Sequence, residues 1–221
     1  MLIALLLSAC NEAPQPATAP SQDPVDTTAG VIVCMGDSLT AGYGVDEAQA
    51  YPSLLRTRLH NAGHHYQVIN AGVSGETSSG ALSRLDWMLT LNPHIVILET
   101  GANDGLRGVD PALTHRNIAA IVDQLLARDI IVVLAGMQMV RNLGPEFTRA
   151  FAAIYTDIAA RSDVIFIPFF LEGVAGRADL NQPDGIHPTL EGYRVLVDHI
   201  EPFVLQAIAR HQKHAAGIKA Q

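Results

Sequence analysis

Gly36-Asp37-Ser38-Leu39 follows directly on the apolar run Val31-Ile32-Val33-Cys34-Met35, and Asp184-Gly185-Ile186-His187-Pro188 stands near the other end of the chain. A serine on a tight turn after a buried strand becomes a nucleophile once a base removes its proton. His187 suits that task, because imidazole titrates near neutrality. Asp184 can accept a hydrogen bond from one ring nitrogen, fixing the tautomer and stabilising the imidazolium while the other nitrogen serves Ser38. The spacing of Asp184 and His187 lets their side chains meet across one helical turn. This division of labour is that of covalent ester hydrolysis. Each piece alone has a plainer explanation: serines routinely cap helices, and a lone loop histidine is usually just solvated.

The same chemistry needs donors for a developing oxyanion, and two further segments can supply them. In Asn70-Ala71-Gly72-Val73-Ser74-Gly75-Glu76-Thr77 the Gly75 N–H carries no side chain that blocks approach. In Thr100-Gly101-Ala102-Asn103-Asp104-Gly105 the Asn103 amide is a side-chain donor. The Ser38 N–H is the third candidate. Such donors are worth roughly 10²–10³ in rate apiece. An asparagine in a glycine-flanked turn also has a purely structural use, since it tolerates left-handed geometry.

Positioning these groups requires a scaffold, and its pattern is regular. Strand candidates are Val31–Met35, Tyr66–Asn70, Ile95–Glu99, Ile130–Ala135 and Val164–Pro168, each nearly continuous in apolar character, as parallel strands covered on both faces must be. Between them run helical patterns: Ile118, Ile121, Val122, Leu125 and Leu126 share one face, as do Phe147, Phe151, Ile154, Tyr155 and Ile158. The alternation predicts an α/β fold, a three-layer α/β/α sandwich around a five-stranded parallel sheet. Functional groups of such sheets gather beyond the carboxyl ends of the strands. Ser38, Gly75, Asn103 and the Asp184–His187 pair each follow a strand candidate.

The chain has 221 residues, of which 48% are hydrophobic and 16% charged, enough for one well-packed domain. A formal net charge of −8 argues against a nucleic-acid partner. Cys10 and Cys34 make no disulfide framework, and Cys34 reads as a small buried apolar residue. Residues 1–10 form an apolar stretch too short to span a bilayer, as expected of a secretory signal. Leu7-Ser8-Ala9-Cys10 resembles the lipobox of bacterial lipoproteins, with Cys10 as the residue to be lipidated. Residues 11–30, with Pro14, Pro16, Pro20 and Pro24 among Ala, Thr, Gln and Ser, read as a disordered tether. The folded domain is then expected over 31–221. The destination would be the bacterial envelope, either the periplasm or a membrane held through Cys10.

Taken together, Gly36-Asp37-Ser38, Gly75, Gly101-Ala102-Asn103-Asp104 and Asp184-Gly185-Ile186-His187-Pro188 resemble the SGNH or GDSL hydrolases, over about Val31 to Val204. Gly101 to Gly108 and Ile167-Pro168-Phe169-Phe170 are similar to the bacterial thioesterase I/lysophospholipase/arylesterase subgroup. The resemblance implies Ser38, Asp184 and His187 as the catalytic triad and the Ser38 N–H, Gly75 N–H and Asn103 as the oxyanion hole. It also implies a flavodoxin-like strand order, no cofactor or metal, and an ester, thioester or lysophospholipid substrate. Ala102 stands where the family commonly has glycine.

Two other readings compete. A metal-dependent phosphoesterase could use Asp37, Asp104, Asp184 and His187 as ligands, but an early Asp-x-His pair is missing. His60, His64 and His65 have metal-compatible spacing and lie in a polar turn that suits solvated histidines. A non-catalytic ligand-binding protein on the same sheet would not need Ser38, Asp184 and His187 together. Neither a dinucleotide fingerprint nor a P-loop occurs.

Overall fold

The apolar runs expected to be strands are strands. A computed structural model describes residues 28–138 and 143–217. It contains β1 (Gly30–Gly36), β2 (Tyr66–Gly72), β3 (Ile95–Glu99), β4 (Ile131–Ala135) and β5 (Ile165–Ile167). All neighbours are parallel and the order is β2-β1-β3-β4-β5, the flavodoxin-like arrangement. Leu7 to Cys10, residues 11–27 of the expected tether, and Met139 and Val140 lie outside the described residues.

Strand ends differ from the apolar runs for local reasons. Gly30, expected in the tether, pairs with Tyr66, and the Ala29 N–H donates to the His65 carbonyl at 2.7 Å. Main-chain pairing needs no apolar side chain, so periodicity does not register it. At the start of β4, the Ile130 N–H is taken by the Leu125 carbonyl, which closes the preceding helix instead of extending the ladder.

The helices are α1 (Ser38–Ala41), α2 (Tyr51–Asn61), α3 (Ser78–Ser83), α4 (Leu85–Leu89), α5 (Ala102–Leu106), α6 (Pro111–Leu126), α7 (Pro145–Arg161) and α8 (Leu190–Ala215). α2 and α8 pack together on one side of the sheet, and α3, α6 and α7 pack together on the other. The faces turned inward are the ones the spacing marks: Ile118, Ile121, Val122 and Leu125 of α6, and Phe151, Ile154, Tyr155 and Ile158 of α7, are buried. The central strands are covered on both sides, so β3 is buried from Ile95 to Glu99. Each such apolar side chain contributes about 1.5–3 kcal/mol by leaving water. Cys34 is a free buried cysteine whose thiol burial pushes up to about 12, so it stays neutral and behaves as core.

β1 sits between β2 and β3, where the chain winds outward in both directions. The Ser38 turn is therefore flanked by the turn bearing Gly75 after β2 and the turn bearing Asn103 after β3. Gly36 is required there for space. A Cβ on it would overlap the Thr40 hydroxyl and come within 2.5 Å of Glu99 Oε2 and 2.7 Å of the Glu99 carbonyl oxygen.

Candidate active site

Asp37, not Ser38, caps α1: its Oδ1 accepts the Leu39 N–H at 3.0 Å. The Ser38 hydroxyl is thereby left for another partner, and its Oγ lies 2.8 Å from His187 Nε2. His187 Nδ1 lies 2.7 Å from Asp184 Oδ2. Asp184 Oδ1 accepts the N–H groups of Ile186 at 2.9 Å and His187 at 3.0 Å. Aspartate closes this kind of turn with its own side chain, and Gly185 supplies the left-handed residue at φ 69°. The pair thus meets on the loop that leads into α8. α8 begins only at Leu190, capped by Thr189 Oγ1, which accepts the Gly192 N–H at 3.2 Å.

The His187 backbone N–H, then the His187 ring, then the Ile186 N–H hold the Asp184 carboxyl down at about 2. Asp184 is consequently ionised throughout the neutral range. An ionised acceptor selects the Nδ1–H tautomer of His187, which leaves Nε2 as the acceptor for the Ser38 hydroxyl. The tilted ring of Tyr43 lies against His187 with centroids 4.6 Å apart.

Among the described residues, neither the Ser38 N–H nor the Gly75 N–H has a protein acceptor. Gly75 has φ 77°, and a Cβ there would meet only Arg107 Nη2 at 3.5 Å, so backbone conformation rather than space calls for glycine. Asn103 Nδ2 donates one hydrogen to Asp37 Oδ2 at 3.0 Å and keeps the other. Ser38, Gly75, Asn103 and His187 all line one cavity of about 190 Å³, with Leu39, Tyr43, Leu106 and Ile186 as its apolar wall. A larger hollow of about 430 Å³, bordered by Leu126, Asp163, Arg210 and His214, shares no residue with this cluster.

Several contributors carry no motif. The Arg84 guanidinium binds the Glu76 carboxylate through two nitrogens, each at 2.6 Å, and donates to the Gly36 carbonyl at 3.3 Å. It clamps the Gly75 turn to the end of β1. Gln182 Nε2 donates to the carbonyls of Tyr43 at 2.7 Å and Pro188 at 3.0 Å, tying the His187 loop to the segment after Ser38. Glu99 is buried beneath the Ser38 turn. Its one sequence signal is that it closes an otherwise apolar buried strand. Leu106 lines the cavity beside Ser38, while Met137 is buried and borders a different cavity with Tyr155 and Phe166.

The metal-ligand reading meets a different geometry. Both oxygens of Asp104 are engaged inside the protein, by the Ser78 N–H at 2.7 Å, the Ser78 hydroxyl at 2.5 Å and the Thr114 hydroxyl at 3.2 Å. His60 Nε2 is bonded to the Tyr66 carbonyl at 3.0 Å. Among the described residues no three His, Cys, Asp or Glu side chains are grouped so as to hold a metal.

Residues 34–195 match the GDSL-like Lipase/Acylhydrolase family. The chain belongs to that family. It is 40% identical over 175 residues to Esterase TesA of Pseudomonas aeruginosa, covering 79% of this chain and 87% of the relative. It is 34% identical over 184 residues to Thioesterase 1/protease 1/lysophospholipase L1 of Escherichia coli K12, covering 83% and 86%. Its fold matches the crystal structure of the psychrotrophic esterase EstA from Pseudoalteromonas sp., inhibited by monoethylphosphonate, with a TM-score of 0.77 and 31% identity over 81% of this chain and 99% of that one. This GDSL-like hydrolase is thus an enzyme of the serine ester hydrolase class, as the spacing of its residues predicts. Ala102 does not disturb its third turn: the left-handed residue is Gly101 at φ 102°, and Ala102 opens α5.

Proposed function

We propose that the enzyme hydrolyses carboxylic esters and thioesters through an acyl-enzyme, with Ser38 as nucleophile, His187 as general base and acid, and Asp184 as its orienter. One observation carries this reading: the unbroken hydrogen-bond series Asp184–His187–Ser38 opens on the cavity that the Ser38 N–H, Gly75 N–H and Asn103 amide share. Ser38 Oγ bonds to the substrate carbonyl carbon as His187 Nε2 takes its proton. The three donors receive the oxyanion. Collapse expels the alcohol or thiol, which His187 protonates, and a water activated by His187 then releases the acid.

The cavity is smaller than the roughly 300–1,000 Å³ of typical ligand pockets. A short acyl group fills it, and a longer one continues past Leu106 and Ile186, both half exposed. A methylene is worth about 0.8 kcal/mol only when fully buried, so the dependence on chain length is shallow. Aryl esters, acyl thioesters and lysophospholipids fall within this scope, in keeping with the names of the relatives. The test is an organophosphonate, which should label Ser38 and abolish activity on such a panel, while a chelator leaves activity intact. Loss of activity to the chelator with rescue by a divalent cation would move the assignment to metal-dependent hydrolysis.

Export to the envelope, with anchoring through a lipidated Cys10, is part of the same proposal and rests on Leu7-Ser8-Ala9-Cys10. Two or more acyl chains hold a protein firmly on a membrane, whereas one does so marginally. Cys10→Ser should move the enzyme from the membrane to the soluble fraction at unchanged kcat and KM. An unmodified mature N-terminus beyond Cys10, read by intact mass, would remove the anchor.

A further inference from the structure

Glu99, the last residue of β3, is wholly buried, and the triad chemistry makes no use of it. Its Oε2 accepts the Asp37 N–H at 3.2 Å and the Thr40 hydroxyl at 2.9 Å. Its Oε1 is buried and, among the described residues, receives no hydrogen bond. None of the ion pairs among the described residues includes it. Asp37, whose N–H binds Oε2, brings its own carboxyl close enough for its charge to act on Glu99. The one other side chain bonded to it among the described residues is Thr40, whose hydroxyl also lies 3.4 Å from that of Tyr51, and both are neutral.

A carboxylate in this place would have a bare oxygen, no cation and a second carboxylate beside it, and each of these disfavours the charge. Protonation removes all three objections, because the O–H becomes a donor and Asp37 is its acceptor. Burial accordingly raises the Glu99 carboxyl far above its usual range, and the Asp37 charge raises it further. Asp37 is the member of the pair better fitted to stay ionised, since the Leu39 N–H and Asn103 Nδ2 both donate to it.

The location of this single proton matters to Asn103. An ionised Asp37 accepts from the amide nitrogen of Asn103, which keeps an N–H pointed into the cavity. A protonated Asp37 would donate to the amide oxygen and reverse the amide, turning the wrong end toward an oxyanion. We propose that Glu99 is a positioning residue of the oxyanion hole: as a neutral acid it donates its proton to Asp37 and thereby fixes the Asn103 amide as a donor. The inference rests on the reading of Asn103 as an oxyanion donor.

The test is a double-mutant cycle with a conservative rescue. Asn103→Ala should lower kcat by about 10²–10³ at nearly constant KM. Glu99→Leu should lower kcat by about 10², the scale of a misplaced catalytic group, again with little change in KM. In the Asn103→Ala background Glu99→Leu should cost little more. Glu99→Gln should restore the kcat that Glu99→Leu loses, because its amide accepts from Asp37 N–H and Thr40 and donates to the Asp37 carboxylate. Infrared difference spectra should show a protonated-carboxyl stretch in the wild type that Glu99→Gln lacks, a readout that remains available if Glu99→Leu does not fold. Three outcomes would each overturn the proposal: Glu99→Gln as impaired as Glu99→Leu, an undiminished effect of Glu99→Leu without Asn103, or no such band. Asn103→Ala with unchanged kcat would instead sink the oxyanion assignment itself, while the infrared band would still report the proton on Glu99.

Discussion

Ser38→Ala is expected to lower kcat by about 10⁶, the scale on which removing a nucleophile collapses a triad, with no loss of thermal stability. Among the described residues the hydroxyl bonds only to His187 Nε2. Asp37 rather than Ser38 caps α1, so the alanine variant keeps the cap, the turn and the backbone N–H that the oxyanion needs. Substrate binding should survive, since the apolar wall of Leu39, Tyr43, Leu106 and Ile186 is untouched. What remains should be a rate some 10³–10⁴ above that in water, supplied by the oxyanion donors and by binding. The measurement is single-turnover hydrolysis of an activated aryl ester beside a melting curve. Turnover within tenfold of wild type would place the covalent step elsewhere or replace it by direct attack of water.

The parts of this site that were legible in the sequence are those whose chemistry depends on residue type and strand order. Ser38, Gly75, Asn103, Asp184 and His187 each follow a strand of the sheet, and parallel strands deliver such positions to one edge. The parallel sheet and both helix layers follow from the same alternation, whereas the strand order comes only from the resemblance to the SGNH hydrolases. What was not legible depends on side chains crossing between segments far apart in sequence. Nothing in the pattern around Arg84 shows that it bridges Glu76 and the Gly36 carbonyl, and nothing around Gln182 shows that it reaches the Tyr43 carbonyl. Nothing next to Gly36 in the sequence shows that it is needed to let Thr40 and Glu99 approach. Glu99 gave a signal, a carboxyl ending a run that is otherwise all apolar, but its meaning required the neighbouring carboxyl of Asp37, and that contact is tertiary.

Asp184→Asn is expected to lower kcat by about 10⁴, and the geometry of this loop gives the reason. Asp184 Oδ1 is committed to two backbone donors, the N–H groups of Ile186 and His187. In the asparagine variant the amide oxygen must stay there, because the NH₂ group cannot accept those hydrogens. The NH₂ then faces His187 Nδ1 and donates to it. The imidazole proton moves to Nε2, which points a hydrogen at the Ser38 hydroxyl and can no longer receive one. Stability responds to the same carboxylate with a defined sign. Asp184 sits at about 2 against an ordinary 3.8, so its stabilising contribution is complete above the ordinary value and is lost as pH falls through the folded one. The difference in Tm between wild type and Asp184→Asn should therefore be constant above about pH 4 and shrink between about pH 4 and pH 2, the window set by those two values. A kcat loss under tenfold would show that His187 holds its tautomer without Asp184. A Tm difference that persists unchanged through the acid window would show that the loop draws no stability from the ionised carboxylate.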